Sequence, residues 1–224
     1  MTTFMERWRG RAGTLATFGD SITEGLTIAE PASRWANRLA DGLGARLLNR
    51  GISGTVMQSS LAAGGGPRED NGHGRYRHDL LGAVRGDVIA ILYGTNDARY
   101  IAAPASFGAD GFVRDYRAVL AGLLAAGYAP EAIAIGSPTY LPDAGFAMGS
   151  EGFAGQSRAV YQSFTGLVRQ LAREFGCYYA PVNESMTAEG GDNLILPDHV
   201  HPNAEGHARI ASIFASAIQL QPLR

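Results

Sequence analysis

Five short, largely apolar runs recur along the chain, at residues 14–18, 45–49, 87–93, 132–136 and 177–182. A strand with one wet face alternates apolar and polar side chains. Runs without alternation suit strands covered on both faces of a sheet. Between them the spacing changes to the helical period. Trp35, Leu39 and Leu43 fall at four-residue steps. Phe112, Tyr116, Val119, Leu120, Leu123 and Leu124 form one apolar stripe, and Val160, Phe164, Leu167, Val168, Leu171 and Phe175 another. A last helix is expected to carry Ile210, Ile213, Phe214, Ala217 and Ile218. Strands alternating with helices predict an α/β protein, a three-layer α/β/α sandwich around a parallel five-stranded sheet. Right-handed crossovers narrow the topology to a flavodoxin-like strand order of 2-1-3-4-5. With no internal repeat and no linker, residues 1–224 read as a single domain.

Two glycine-rich stretches break this rhythm, residues 63–79 and 138–156. Both are long beside ordinary connections of about 4–6 residues. The second follows a strand directly, on the sheet edge where open α/β proteins bind ligands. Its Tyr140, Phe146 and Phe153 are expected to wall a substrate site.

Composition narrows the function classes. Hydrophobic residues make up 46% and charged residues 18% of the chain, as in ordinary globular domains. The net charge of −2 gives no reason to expect nucleic acid or an anionic membrane as partner. All 19 basic residues are arginine, which excludes a lysine nucleophile, a Schiff base and a phosphate-loop lysine. The single cysteine, Cys177, cannot form an intramolecular disulfide and lies in an apolar run, where a small core residue is expected. The opening residues hold no apolar stretch of signal-peptide length, and no run reaches the roughly 20 apolar residues that span a bilayer. A cytoplasmic protein is expected, and the sequence leaves a homo-oligomer open.

Candidate chemistry sits in four short blocks beside those elements. They are Gly19-Asp20-Ser21, the stretch from Asn49 through Gly54 to Thr55, Tyr93-Gly94-Thr95-Asn96-Asp97, and Asp198-His199-Val200-His201-Pro202. In a parallel sheet the first three strand ends share one edge, and the N-terminus of the last helix points to it, so the blocks can meet. Ser21 supplies a hydroxyl, weak alone but activated where an imidazole such as that of His201 takes its proton. Asp198, three residues before His201, can hold the other ring N–H. Backbone N–H groups of Ser21 and Gly54, with the Asn96 amide, can donate to an oxyanion, each such donor being worth roughly 3–4 kcal/mol.

Four blocks in this order resemble the SGNH hydrolases, also called GDSL esterases, and the likeness runs from residue 18 to residue 203. The resemblance implies Ser21 as nucleophile, His201 as base, Asp198 as its partner, and an oxyanion hole of Ser21, Gly54 and Asn96. It also implies no metal and no organic cofactor. Ile22 stands where the motif name has leucine, and His199 adds a second histidine, from which spacing selects His201. Asp20 is expected to support the loop, Asp97 to form a turn, and Asp192 is the substitute partner for the base. His73, His78 and His207 are expected at the surface or in loops.

The rivals are less well supported. No serine sits in a Gly-x-Ser-x-Gly elbow. His199, His201 and Asp198 lack the spacing of a common metal-ligand set. A flavodoxin-like binding module would need a phosphate cradle where Asp20 and Glu24 repel phosphate. The expectation is therefore a serine esterase taking a small-molecule ester with a short, acetyl-type acyl group on a carbohydrate or aryl alcohol. A lysophospholipase or thioesterase with longer acyl chains is the alternative.

Overall fold

The apolar runs become strands β1 (Thr14–Gly19), β2 (Arg46–Gly51), β3 (Val88–Leu92), β4 (Ile133–Gly136) and β5 (Tyr178–Ala180) in a computed structural model that describes residues 1–60, 66, 68, 70–99, 108–148 and 156–222. They are parallel and ordered β2-β1-β3-β4-β5, as the pattern predicts. A sixth strand, β6 (Ile218–Gln219), extends the sheet antiparallel beside β5. This corrects the five-strand expectation and removes both Ala217 and Ile218 from the last helix, which ends at Ala215.

Alternate residues of each strand serve opposite cores. Ala16, Phe18, Ile89, Ile91, Ile133 and Ile135 pack under helices α4 (Gly72–Leu81), α6 (Ala109–Ala125) and α7 (Arg158–Phe175). Leu15, Val88, Ala90, Leu92 and Ala134 pack under α1 (Phe4–Trp8), α3 (Trp35–Leu43), α8 (Val182–Glu189) and α9 (Ala204–Ala215). Both faces are dry along β1, β3, β4 and β5, which is why those strands read as apolar runs, whereas β2 at the sheet edge is only half-buried. The stripes of α3 and α6 face the sheet as expected, whereas Val160 of the α7 stripe stays 42% exposed.

The stretch 63–79 is not an irregular loop throughout. From Gly72 it is α4, capped by Asn71, whose side chain accepts the Gly74 N–H at 2.7 Å. In the stretch 138–156, residues 143–147 form one 3₁₀ segment, Asp143–Ala147. Among the described residues no helix is long and apolar enough to cross a membrane. The carboxyl ends of β1, β2 and β3 and the amino end of α9 meet at one edge of the sheet.

Candidate active site

Gly19 ends β1 because nothing larger fits. A Cβ there would lie 2.1 Å from Thr23 Oγ1 and 2.4 Å from the Leu92 carbonyl oxygen. The chain then turns into the short helix α2 (Ser21–Glu24), capped by Asp20, whose Oδ1 accepts the Ile22 N–H at 3.0 Å. Ser21 is thereby the first helical residue, 8% exposed.

Burial pushes the Asp20 carboxyl up to about 7; the Ile22 N–H opposes this and nearby Asp97 adds to it. An acid with a raised pKa binds its proton more tightly folded than unfolded. Its ionisation therefore costs stability as pH climbs from about 4, the unfolded value, towards 7. Asp20→Asn keeps an oxygen for the Ile22 N–H and removes the charge. It is expected to melt near the parent temperature at pH 4 and above it at pH 8, by about 2–4 °C per kcal/mol gained. A parent more stable than the variant at pH 8 would contradict this.

The fourth block forms a closed turn before α9. Leu196 N–H donates to the His201 carbonyl at 2.8 Å, and His199 N–H to the Leu196 carbonyl at 2.9 Å. His199 takes a left-handed backbone, φ +62°, a conformation that strains a non-glycine residue, and its side chain is exposed. This turn lets Asp198 Oδ1 accept the N–H groups of Val200 and His201, each at 3.0 Å. Asp198 Oδ2 lies 2.7 Å from His201 Nδ1. Burial acts to raise the Asp198 pKa, but the His201 and Val200 N–H groups and the imidazole outweigh it and hold the carboxyl below its ordinary value. A carboxylate at Nδ1 selects the tautomer with its hydrogen there, leaving the Nε2 lone pair free. That Nε2 lies 2.9 Å from Ser21 Oγ. The structure thus brings Ser21, His201 and Asp198 into one hydrogen-bonded line.

The second and third blocks close on the same edge. Gly54 has φ +76° and is exposed, with nothing within 4 Å of a Cβ built on it. Asn96, in α5 (Thr95–Arg99), donates one amide hydrogen to the Thr55 carbonyl at 2.9 Å, and its oxygen accepts from Arg99 at 3.1 Å. The second amide hydrogen is not used in these bonds.

Several residues hold the site together without touching the reacting groups. Glu24 accepts the Ser53 N–H at 2.8 Å and also the Ser53 hydroxyl, tying α2 to the second block. Asp97 accepts the Met57 N–H at 2.8 Å and the Gln58 N–H at 3.1 Å. It is 2% exposed, and burial pushes its pKa up to about 6 against those hydrogen bonds. It is a clamp between two blocks and not merely a turn former. The acid-after-asparagine spacing was visible in the sequence, but its partners lie some 40 residues away.

Other expectations fare differently. His207 is fully buried in α9, not at the surface. Its Nδ1 accepts the Trp35 N–H at 3.2 Å, and burial first, with the neighbouring His201, Arg34 and Arg38, lowers its pKa to about 4. Asp192 bonds the Tyr140 hydroxyl at 2.6 Å, while Asp198 is the acid on His201. Phe146 packs inward, 7% exposed, edge-on to Tyr161 at 5.5 Å. Phe153 lies outside the described residues. Tyr140 lines a cleft of about 380 Å³ with Asp143, Arg158, Asp192 and His199. Cys177 is buried, which pushes its thiol up to about 12 and keeps it protonated.

The profile of the GDSL-like lipase/acylhydrolase family matches residues 17–209, a span that takes in all four blocks. The chain belongs to this family. It is accordingly a carboxylic ester hydrolase. Among curated proteins none matches by sequence. Solved structures share the fold at low identity. The lipase/acylhydrolase from Enterococcus faecalis superposes with a TM-score of 0.67 at 16% identity, over 90% of this chain and 93% of that one. A catalytic mutant of Axe2, an acetylxylan esterase from Geobacillus stearothermophilus, gives 0.65 at 20% identity, over 90% and 92%. The acetyl xylan esterase AlAXEase gives 0.67 at 18% identity, over 89% and 96%.

Proposed function

We propose that this esterase hydrolyses short acyl esters, acetyl esters above all, of carbohydrate or aryl alcohols, with Ser21, His201 and Asp198 as its triad. The observation that carries this reading is the line from Ser21 Oγ to His201 Nε2 at 2.9 Å and from Nδ1 to Asp198 at 2.7 Å. His201 takes the Ser21 proton as Oγ attacks the ester carbonyl carbon. The carbonyl oxygen becomes an oxyanion held by the N–H groups of Ser21 and Gly54 and the spare amide hydrogen of Asn96. As the tetrahedral intermediate collapses, His201 gives its proton to the leaving alkoxide, releasing the alcohol and leaving an acyl group on Ser21. Water then attacks the acyl carbon, deprotonated by His201, and the acid leaves as Ser21 regains its proton. Asp198 holds the ring and offsets the imidazolium charge throughout.

Two features support a carbohydrate alcohol. Two of the structural neighbours are acetylxylan esterases by name. The cleft behind the His201 turn offers the Tyr140 ring together with Asp192 and Arg158, groups suited to sugar faces and hydroxyls.

A series of 4-nitrophenyl esters from C2 to C12 tests the acyl preference. Activity is expected to peak at C2 to C4; a maximum at C8 or beyond would favour the longer-chain alternative. Asn96→Ala is expected to lower kcat about 10²–10³-fold through loss of one oxyanion donor. An unchanged kcat would remove Asn96 from the site.

A further inference from the structure

Arg75, on α4, is 8% exposed and has no part in the chemistry assigned above. Its guanidinium lies 4.2 Å over the Phe18 ring. Nη2 donates to the Gly19 carbonyl at 2.8 Å and to the Tyr93 hydroxyl at 2.6 Å. Nη1 donates to the Arg50 carbonyl at 2.9 Å and pairs with Asp79. Gly19, Arg50 and Tyr93 stand at the carboxyl ends of β1, β2 and β3, two, four and three residues before Ser21, Gly54 and Asn96. One cation thus joins three of the four blocks from beneath. A planar fork with five fixed donors spans three strand ends and Asp79 together, more partners than the three donors of an ammonium could serve.

The hydrogens along this path have one arrangement that satisfies both hydroxyls, Tyr93 and Thr55. A guanidinium only donates, so Tyr93 Oη accepts from Arg75 and its own proton points to Thr55 Oγ1, 3.0 Å away. The Thr55 hydroxyl then donates to the Ile52 carbonyl at 2.7 Å. The Thr55 carbonyl, in turn, receives the Asn96 amide. The path therefore ends on both flanks of Gly54 and on Asn96. Gly54 itself is exposed with a left-handed backbone, and its carbonyl accepts from Arg68 Nη1 at a long 3.4 Å, so support from its two flanks bears on where its N–H points.

We infer that Arg75 is a positioning residue for the oxyanion hole, acting through Tyr93 and Thr55 to fix Gly54 and Asn96 relative to Ser21. The inference rests on the catalytic reading above. Oxyanion donors are effective only when they are already in place as the charge develops. A loosened loop should therefore weaken transition-state binding and leave ground-state binding alone.

The test compares Tyr93→Phe and Arg75→Met with the parent on 4-nitrophenyl acetate, with Ser21→Ala in parallel. Phenylboronic acid, which forms a tetrahedral adduct on an active-site serine, is the inhibitor. Tyr93→Phe deletes one oxygen and is expected to fold. It should lower kcat about tenfold, with KM within about twofold, and weaken the boronate by the same factor as kcat. Arg75→Met should show a larger loss of the same kind and a lower melting temperature; should it fail to fold, Tyr93→Phe decides alone. Parent kcat and boronate affinity in Tyr93→Phe, or a loss confined to KM, would overturn the inference, whatever the melting temperature. An inactive Ser21→Ala beside a fully active Tyr93→Phe removes the inference alone. Retained turnover in Ser21→Ala removes the catalytic reading and the inference together.

Discussion

Ser21→Ala is expected to leave a folded protein whose kcat for ester hydrolysis is lower by on the order of 10⁴–10⁶-fold. The size follows from what is lost. Without Oγ there is no atom to form the acyl-enzyme, and His201 is left to act on water alone. Residual turnover would come from the oxyanion donors and substrate binding, which need no serine hydroxyl. Folding should survive, because the helix that begins at Ser21 is capped by Asp20 and not by Ser21 itself. Circular dichroism and a melting curve beside the rate measurement separate the two effects. A variant that folds and hydrolyses at even a tenth of the parent rate would contradict the assignment.

Asp198→Asn is expected to lower kcat by about 10⁴-fold while changing the structure little. Asparagine keeps one oxygen, so the N–H groups of Val200 and His201 can still be accepted as they are by Asp198 Oδ1. The other position becomes an NH₂ facing His201 Nδ1, now 2.7 Å from Oδ2. Two donors cannot share that contact, so the ring moves its hydrogen to Nε2. Nε2 then donates towards Ser21 and can no longer take its proton. The negative charge that offsets the imidazolium is gone as well. The prediction is checked by kcat at saturating ester in a variant whose melting temperature stays close to the parent's. A loss below about tenfold would mean that Asp198 does not set the tautomer.

How far the sequence discloses this arrangement depends on how local each cause is. β1 and β3 were legible because both faces of the sheet are covered there, so nearly every position is apolar, Thr17 being the buried polar exception. β6 was not, because two residues carry no period and its place is set by contact with β5. Helix α4 was hidden by Gly72 and Gly74, each costing a helix about 1 kcal/mol relative to alanine, and by a stripe reduced to Tyr76 and Leu80. Beside the burial of Tyr76 and Leu80, it is held by the Asn71 cap and the buried Arg75 fork, neither of which is a hydrophobic signal. His207 looked like a surface residue because histidine gives no sign of burial. It is inside because Trp35 opens α3 without a side-chain cap, and its N–H needs an acceptor that only the packed α9 supplies.

The site divides in the same way. Ser21, Gly54, Asn96, Asp198 and His201 stood out because each lies where a strand ends or a helix begins, in residue types that have few other reasons to be there. Asp198 and His201 needed only a three-residue spacing to meet. Glu24, Asp97 and Arg75 act across 29, 40 and 56 residues on backbone groups, and a backbone group leaves no mark in a sequence. Of the aromatic residues expected to wall a site, two lie among the described residues. Aromatic residues in a glycine-rich stretch serve a core as readily as a cleft, and Phe146 went to the core while Tyr140 reached the cleft.

The central claim is that the Ser21 hydroxyl is the nucleophile. The measurement that tests it most directly is covalent labelling with a fluorophosphonate, followed by digestion and mass spectrometry. The account predicts one adduct, on Ser21 in the peptide carrying Gly19-Asp20-Ser21, formed in step with loss of esterase activity and absent from Ser21→Ala. An adduct on another residue that tracks the loss of activity, or full activity in protein labelled at Ser21, would contradict it.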